Sequence, residues 1–84
     1  MKRKHRINNL LKDELKEFSI QIEDKSNLHK GHNNFDGKGE THIKIILNKK
    51  NKIKIDRLEL HRKINDLLKQ EFDLGLHSLE IRVK

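Results

Sequence analysis

The chain of 84 residues contains no cysteine, no tryptophan and no tyrosine, and only three phenylalanines. Without cysteine it forms no disulfide, which suits a cytoplasmic protein, the expected location. It also cannot by itself supply thiolates to an iron–sulfur centre; the sulfur ligands of any such cluster must come from another molecule. With so few aromatic residues the core must be aliphatic and thin. No apolar run approaches the length of a membrane span. The basic start, Met1-Lys-Arg-Lys-His-Arg6, is not followed by an unbroken apolar stretch, because Asn8, Asn9, Lys12 and Asp13 intervene, so no targeting segment is expected.

Charged residues make up 39% of the chain and the net charge is +7. An excess of this size attracts nucleic acid or an acidic partner. Here it is spread along a Lys-, Asn- and Ile-rich sequence, and so reads first as compositional drift. The apolar residues are few but periodic, which argues for one folded domain over disorder. Residues 1–84 are expected to form that single domain, with 1–6 a basic tail.

Ile7, Leu10, Leu11 and Leu15 fall on one helical face, so a helix is predicted from about residue 6 to residue 17. Phe18, Ile20 and Ile22 alternate with Ser19, Gln21 and Glu23, the pattern of a half-buried strand. A second strand is predicted from Glu40 to about Asn48, with Ile43, Ile45 and Leu47 on one face and His42, Lys44 and Ile46 on the other. Ile53 and Ile55 either extend an edge or pack against the next helix. Asp56 followed by Glu59 has capping-box spacing, and a helix is predicted from Asp56 to Phe72, with a break near Leu60 allowed. Gly75 suits a left-handed helix end. The last strand is predicted from Leu76 to Val83, with His77, Leu79, Ile81 and Val83 on one face.

The order helix–strand–strand–helix–strand predicts an α+β domain with a three-stranded mixed sheet and helices packed on one face. The helical connection before the last strand, about 20 residues long, suits a crossover between parallel strands. Parallel strands start at the same edge, so His77 is brought toward the loop at 25–39. That loop is unusually long for so small a chain, and loops of this kind are more often functional than ordinary connections. It holds His29 and His32 among Gly31, Gly37, Gly39, Asn33, Asn34 and Asp36, residues suited to turns.

Three separated motifs carry a resemblance to a known family. Gly39-Glu-Thr-His42 opens an aliphatic strand, His61-Arg62 sits in the following helix, and Gly75-Leu-His-Ser-Leu79 opens the last strand. In matching order, from about Leu10 to Val83, the chain resembles the BolA family. It departs from the family pattern at Lys50-Asn-Lys52, in place of a Phe-x-Gly turn, and at Leu60, in place of a basic residue; both are expected to alter the surface near the second helix.

The resemblance implies a type II KH-like fold, a monothiol glutaredoxin as partner and a shared [2Fe–2S] cluster. The glutaredoxin and glutathione bring the thiolates, and this chain brings the remaining ligands. By position His77 matches the family's C-terminal ligand histidine. His32 best matches the loop ligand, with His29 the alternative. Imidazole is a good iron ligand and raises a cluster's reduction potential relative to thiolate. The implied role is cluster trafficking or iron, redox and stress-response regulation, with no cofactor held by the isolated chain.

Each histidine also has a plainer reading. His77 could fill core, His32 and His29 could be solvated loop residues, and His42 is read as a structural hydrogen-bonding residue before a ligand. His61 is read as packing or capping, and His5 as part of the tail. A zinc pair of His29 and His32 lacks the four ligands of a structural site.

The alternative function is a nucleic-acid-binding transcriptional regulator using Arg57, Arg62 and Lys63. Against it, no Gly-x-x-Gly clamp lies between strand and helix, and only Phe35 is a candidate stacking residue. No nucleophile–base pair stands out, so an enzyme is not expected. The sequence leaves a homodimer open.

Overall fold

A computed structural model describes residues 2–25 and 41–84. The elements run α1 (Arg3–Leu11), β1 (Phe18–Asp24), β2 (His42–Lys49), α2 (Arg57–Leu67), α3 (Lys69–Asp73) and β3 (Ser78–Val83). The strands form one mixed sheet in the order β1-β2-β3. β1 pairs antiparallel with β2, Phe18 opposite Lys49; β3 pairs parallel with β2, His42 opposite Ser78. This is the α+β architecture expected from the periodicity.

The alternation of β2 sets the core. Ile43, Ile45 and Leu47 are buried against Ile7 and Leu11 of α1, Leu60 and Ile64 of α2, and Leu68. Leu79, Ile81 and Val83 of β3 pack half-buried against the same cluster. The expected two-faced reading of β2 therefore holds. His77 does not join the face predicted for it. It precedes the strand and is exposed.

The first helix differs from expectation. It starts at Arg3 and ends at Leu11, where 6–17 was predicted, and it takes in most of the stretch expected to be a tail. Past Leu11 the chain goes on in tight turns, with Leu15 N–H donating to the Leu11 carbonyl at 2.9 Å and Phe18 N–H to the Leu15 carbonyl at 3.1 Å. Leu15 keeps its core place at 2% exposure without being helical. The periodicity thus marked the burial of Ile7, Leu11 and Leu15 correctly, but Leu10, expected on the same face, is exposed, and the helix boundary differs. The early start has a physical cause: Arg3 and Arg6 bind Glu71, a partner far away in sequence.

The second helix is capped as predicted, Asp56 Oδ1 accepting from Glu59 N–H at 3.1 Å. Its interruption falls at Leu68, not near Leu60. Leu60 is a buried core residue at the floor of a groove lined by Ile55, Glu59 and Lys63. Ile53 and Ile55 lie outside any strand and pack half-buried on the core, the second of the two readings. Among the described residues no helix is long and apolar enough to cross a membrane.

Candidate functional site

The turn into β3 is built to hold one residue in place. Leu76 N–H donates to the Glu71 carbonyl at 2.9 Å and Gly75 N–H to the Phe72 carbonyl at 3.2 Å, the paired bonds of a Schellman motif. Gly75 takes the left-handed backbone this ending needs, with φ of +111°. Arg3 fastens the same turn from α1, its Nη2 donating to the Leu74 carbonyl at 2.9 Å.

Beneath that turn Glu71 is buried among cations. Its carboxylate accepts from Arg3 Nε at 2.8 Å and from Arg6 Nε and Nη2 at 2.8 and 2.9 Å. The Arg6 hydrogen bonds, with those of Arg3 behind them, hold the Glu71 carboxyl below its ordinary value, against the opposing push of burial. A signal for this residue was present in the sequence. Glu71 stands three residues after Leu68 and seven after Ile64, inside the buried helical stripe, where an unpaired acid would be costly. The partners, Arg3 and Arg6, are one turn apart on α1.

Immediately beyond, His77 meets the start of β2. His77 N–H donates to the Thr41 carbonyl at 2.8 Å, and Ser78 N–H reaches the same oxygen at 3.1 Å. Thr41 Oγ1 lies 3.0 Å from His42 Nδ1. The rings of His42 and His77 stand edge to face, with centroids 6.0 Å apart and planes at 77°. His42 therefore has the structural hydrogen bond expected of it, and also a ring contact with His77 that strand alternation alone did not suggest.

Lys25 N–H donates to the His42 carbonyl at 2.7 Å. The chain thus leaves the described sheet at Lys25 and returns at Thr41 in the same corner that holds His77. The predicted ligands His32 and His29 fall between these two points and lie outside the described residues, as does Phe35. Among the described residues, no group of three or more His, Cys, Asp or Glu side chains could hold a metal ion. The donor set at this corner is imidazole without thiolate, and two imidazoles do not complete a metal site.

The comparisons with known proteins agree with this architecture. The family model for BolA-like proteins matches residues 11–84. The chain belongs to the BolA-like family. Its BolA-like sequence is 35% identical to Protein BOLA1, chloroplastic, of Arabidopsis thaliana over 81 residues, 94% of this chain but only about half, 51%, of that protein. A Sinorhizobium protein described as an uncharacterized protein in the cobS 5′ region is 40% identical over 63 residues, covering 74% of this chain and 68% of the relative. Among solved structures, BolA1 from Arabidopsis thaliana superposes with a TM-score of 0.79 at 34% identity, covering all of this chain and 92% of that one. The BolA domain of SufE1 from the same plant gives 0.76 at 35% identity, covering 98% and 90%.

The alternative nucleic-acid residues are dispersed on this BolA-like surface. Arg57 borders a groove with Leu58, His61 and β3. Lys63 lies on another flank of α2, beside Ile55 and Glu59, and pairs with Glu14 at 3.5 Å. Arg62 is exposed on the same helix. The three do not form one basic stripe of the kind that tracks a phosphate backbone.

Proposed function

We propose that this BolA-like chain is a partner protein, not an enzyme, that binds a monothiol glutaredoxin and shares a [2Fe–2S] cluster with it. Its role is cluster trafficking or iron and redox regulation. His77 is the chain's fixed ligand, and the second comes from the 25–39 loop, His32 first and His29 as the alternative. The glutaredoxin and its glutathione supply the thiolates that a chain without cysteine lacks.

The observation that supports this reading is the bond from His77 N–H to the Thr41 carbonyl. It ties the backbone that carries an exposed imidazole to the residue just before β2, where the chain returns from the histidine-bearing segment. A donor on a fixed backbone beside a segment carrying a second donor suits a site completed on docking. The chemistry of the corner fits the proposal, since imidazole binds iron well and the missing ligands are of the kind the partner carries.

The test is to mix the chain with a cluster-loaded, glutathione-bound monothiol glutaredoxin. A heterodimer by size-exclusion chromatography, with altered visible circular dichroism, is expected. Unchanged visible spectra and separate elution would reject the reading.

A further inference from the structure

In the sheet order β1-β2-β3, the last strand has a neighbour on one side only among the described residues. Its hydrogen bonds show which backbone groups face outward. Ser78 N–H and Lys84 N–H donate to β2-side carbonyls, those of Thr41 and Leu47, and the Lys84 carbonyl accepts from Lys49 N–H. Even-numbered positions therefore turn their backbone toward β2, and Leu79, Ile81 and Val83 turn theirs to the open edge. No proline interrupts this edge, and Leu58 of α2, 60% exposed, borders the groove beside it. An edge that no described residue covers is a template for another strand.

The side chains indicate which strand fits. On the solvated face β3 carries Glu80 and Arg82, and they are its only charges between Ser78 and Val83. We propose that β3 pairs antiparallel with β3 of a second copy of this chain, about a twofold axis at Ile81. Ile81 then faces its own mate and Leu79 faces Val83, so every outward backbone group meets an outward partner. In the same register Glu80 stands opposite the second copy's Arg82, twice over, in the closely spaced pairs where cross-strand charges act most strongly. Moving the axis by one residue sets Glu80 against Glu80 or Arg82 against Arg82. Hydrogen bonding is satisfied at each of these three axes, and charge selects the one at Ile81.

The opposite edge lacks this property, because the matching face of β1 carries Ser19, Gln21 and Glu23, with no basic residue. Within one chain Glu80 already holds Arg82 at 2.8 Å, with both side chains more than half exposed. A surface pair of this kind contributes little, so exchanging it for the intermolecular pair costs little. The pairing leaves His77 outside the strand and does not depend on the cluster proposal.

Sedimentation equilibrium of the full chain, without glutaredoxin, tests it from low micromolar to millimolar concentration. A monomer–dimer equilibrium is expected. Glu80→Arg or Arg82→Glu alone should weaken the dimer by about tenfold or more, by turning both symmetric pairs repulsive, and the double exchange should restore it. Val83→Pro removes an outward N–H without touching the β2 ladder and should give a folded monomer, with folding checked by circular dichroism. A monomer across the whole range, or a dimer indifferent to the single exchanges, overturns the proposal.

Discussion

Arg3 Nε lies 2.8 Å from Glu71 Oε1, although 68 positions separate the two residues in sequence. This contact, with its companion from Arg6, ties the first helix to the turn that presents His77. The basic start of the chain is therefore part of the domain.

Removing the acid should show this. Glu71→Ala leaves two arginines facing a buried site without their anion, and breaking a buried ion pair in this way costs about 3–5 kcal/mol. Chemical denaturation should report a loss of that order, while Glu80→Ala, at an exposed pair, should change stability little. Equal effects from the two substitutions would contradict the assignment.

The same group sets an acid limit. Folding lowers the Glu71 pKa below the ordinary glutamate value of 4.5. A carboxyl depressed in the folded state stabilises it fully above its unfolded pKa, and that contribution is lost as pH falls toward the folded value. Melting temperature measured against pH should therefore drop below about pH 4.5, and part of the drop should vanish in Glu71→Gln.

Gly75→Ala tests the turn itself. An added Cβ would meet Arg3 Nη2 at 3.8 Å, an ordinary contact, so crowding is not the cost. The cost is the backbone at φ +111°, on the order of 1–2 kcal/mol for a residue with a side chain. Thermal unfolding should show the loss, and no change would mean the turn adapts.

Much of this architecture could be read from periodicity. The alternation of Ile43, Ile45 and Leu47 predicted the core face of β2, and the helical connection predicted that β3 runs parallel to it. The cap at Asp56 and the left-handed Gly75 followed from local chemistry. What local patterns missed was long-range. Helix α1 begins early because Arg3 and Arg6 find Glu71, and its end at Leu11 was hidden because Leu15 stays buried after the helix stops. The His42–His77 ring contact was missed for a related reason, since strand alternation does not bind a residue that precedes its strand. The loop ligands, His32 and His29, lie outside the described residues.

The dispersal of Arg57, Arg62 and Lys63 carries its own expectation. Any DNA binding, measured by fluorescence anisotropy, should lack sequence preference and fall steeply between about 50 and 200 mM salt. Selective binding that resists salt would favour the regulator reading.

If His77 of this chain ligates the proposed cluster, its ring nitrogen couples to the cluster's unpaired electron. The most direct measurement labels only this chain's histidines with nitrogen-15, assembles the complex with unlabelled cluster-loaded glutaredoxin, reduces it, and records pulsed electron paramagnetic resonance. Strong nitrogen-15 coupling to the cluster is expected, reduced or abolished in His77→Ala with the fold intact. Identical spectra from labelled and unlabelled chains, or a coupling that His77→Ala leaves unchanged, would contradict that ligation.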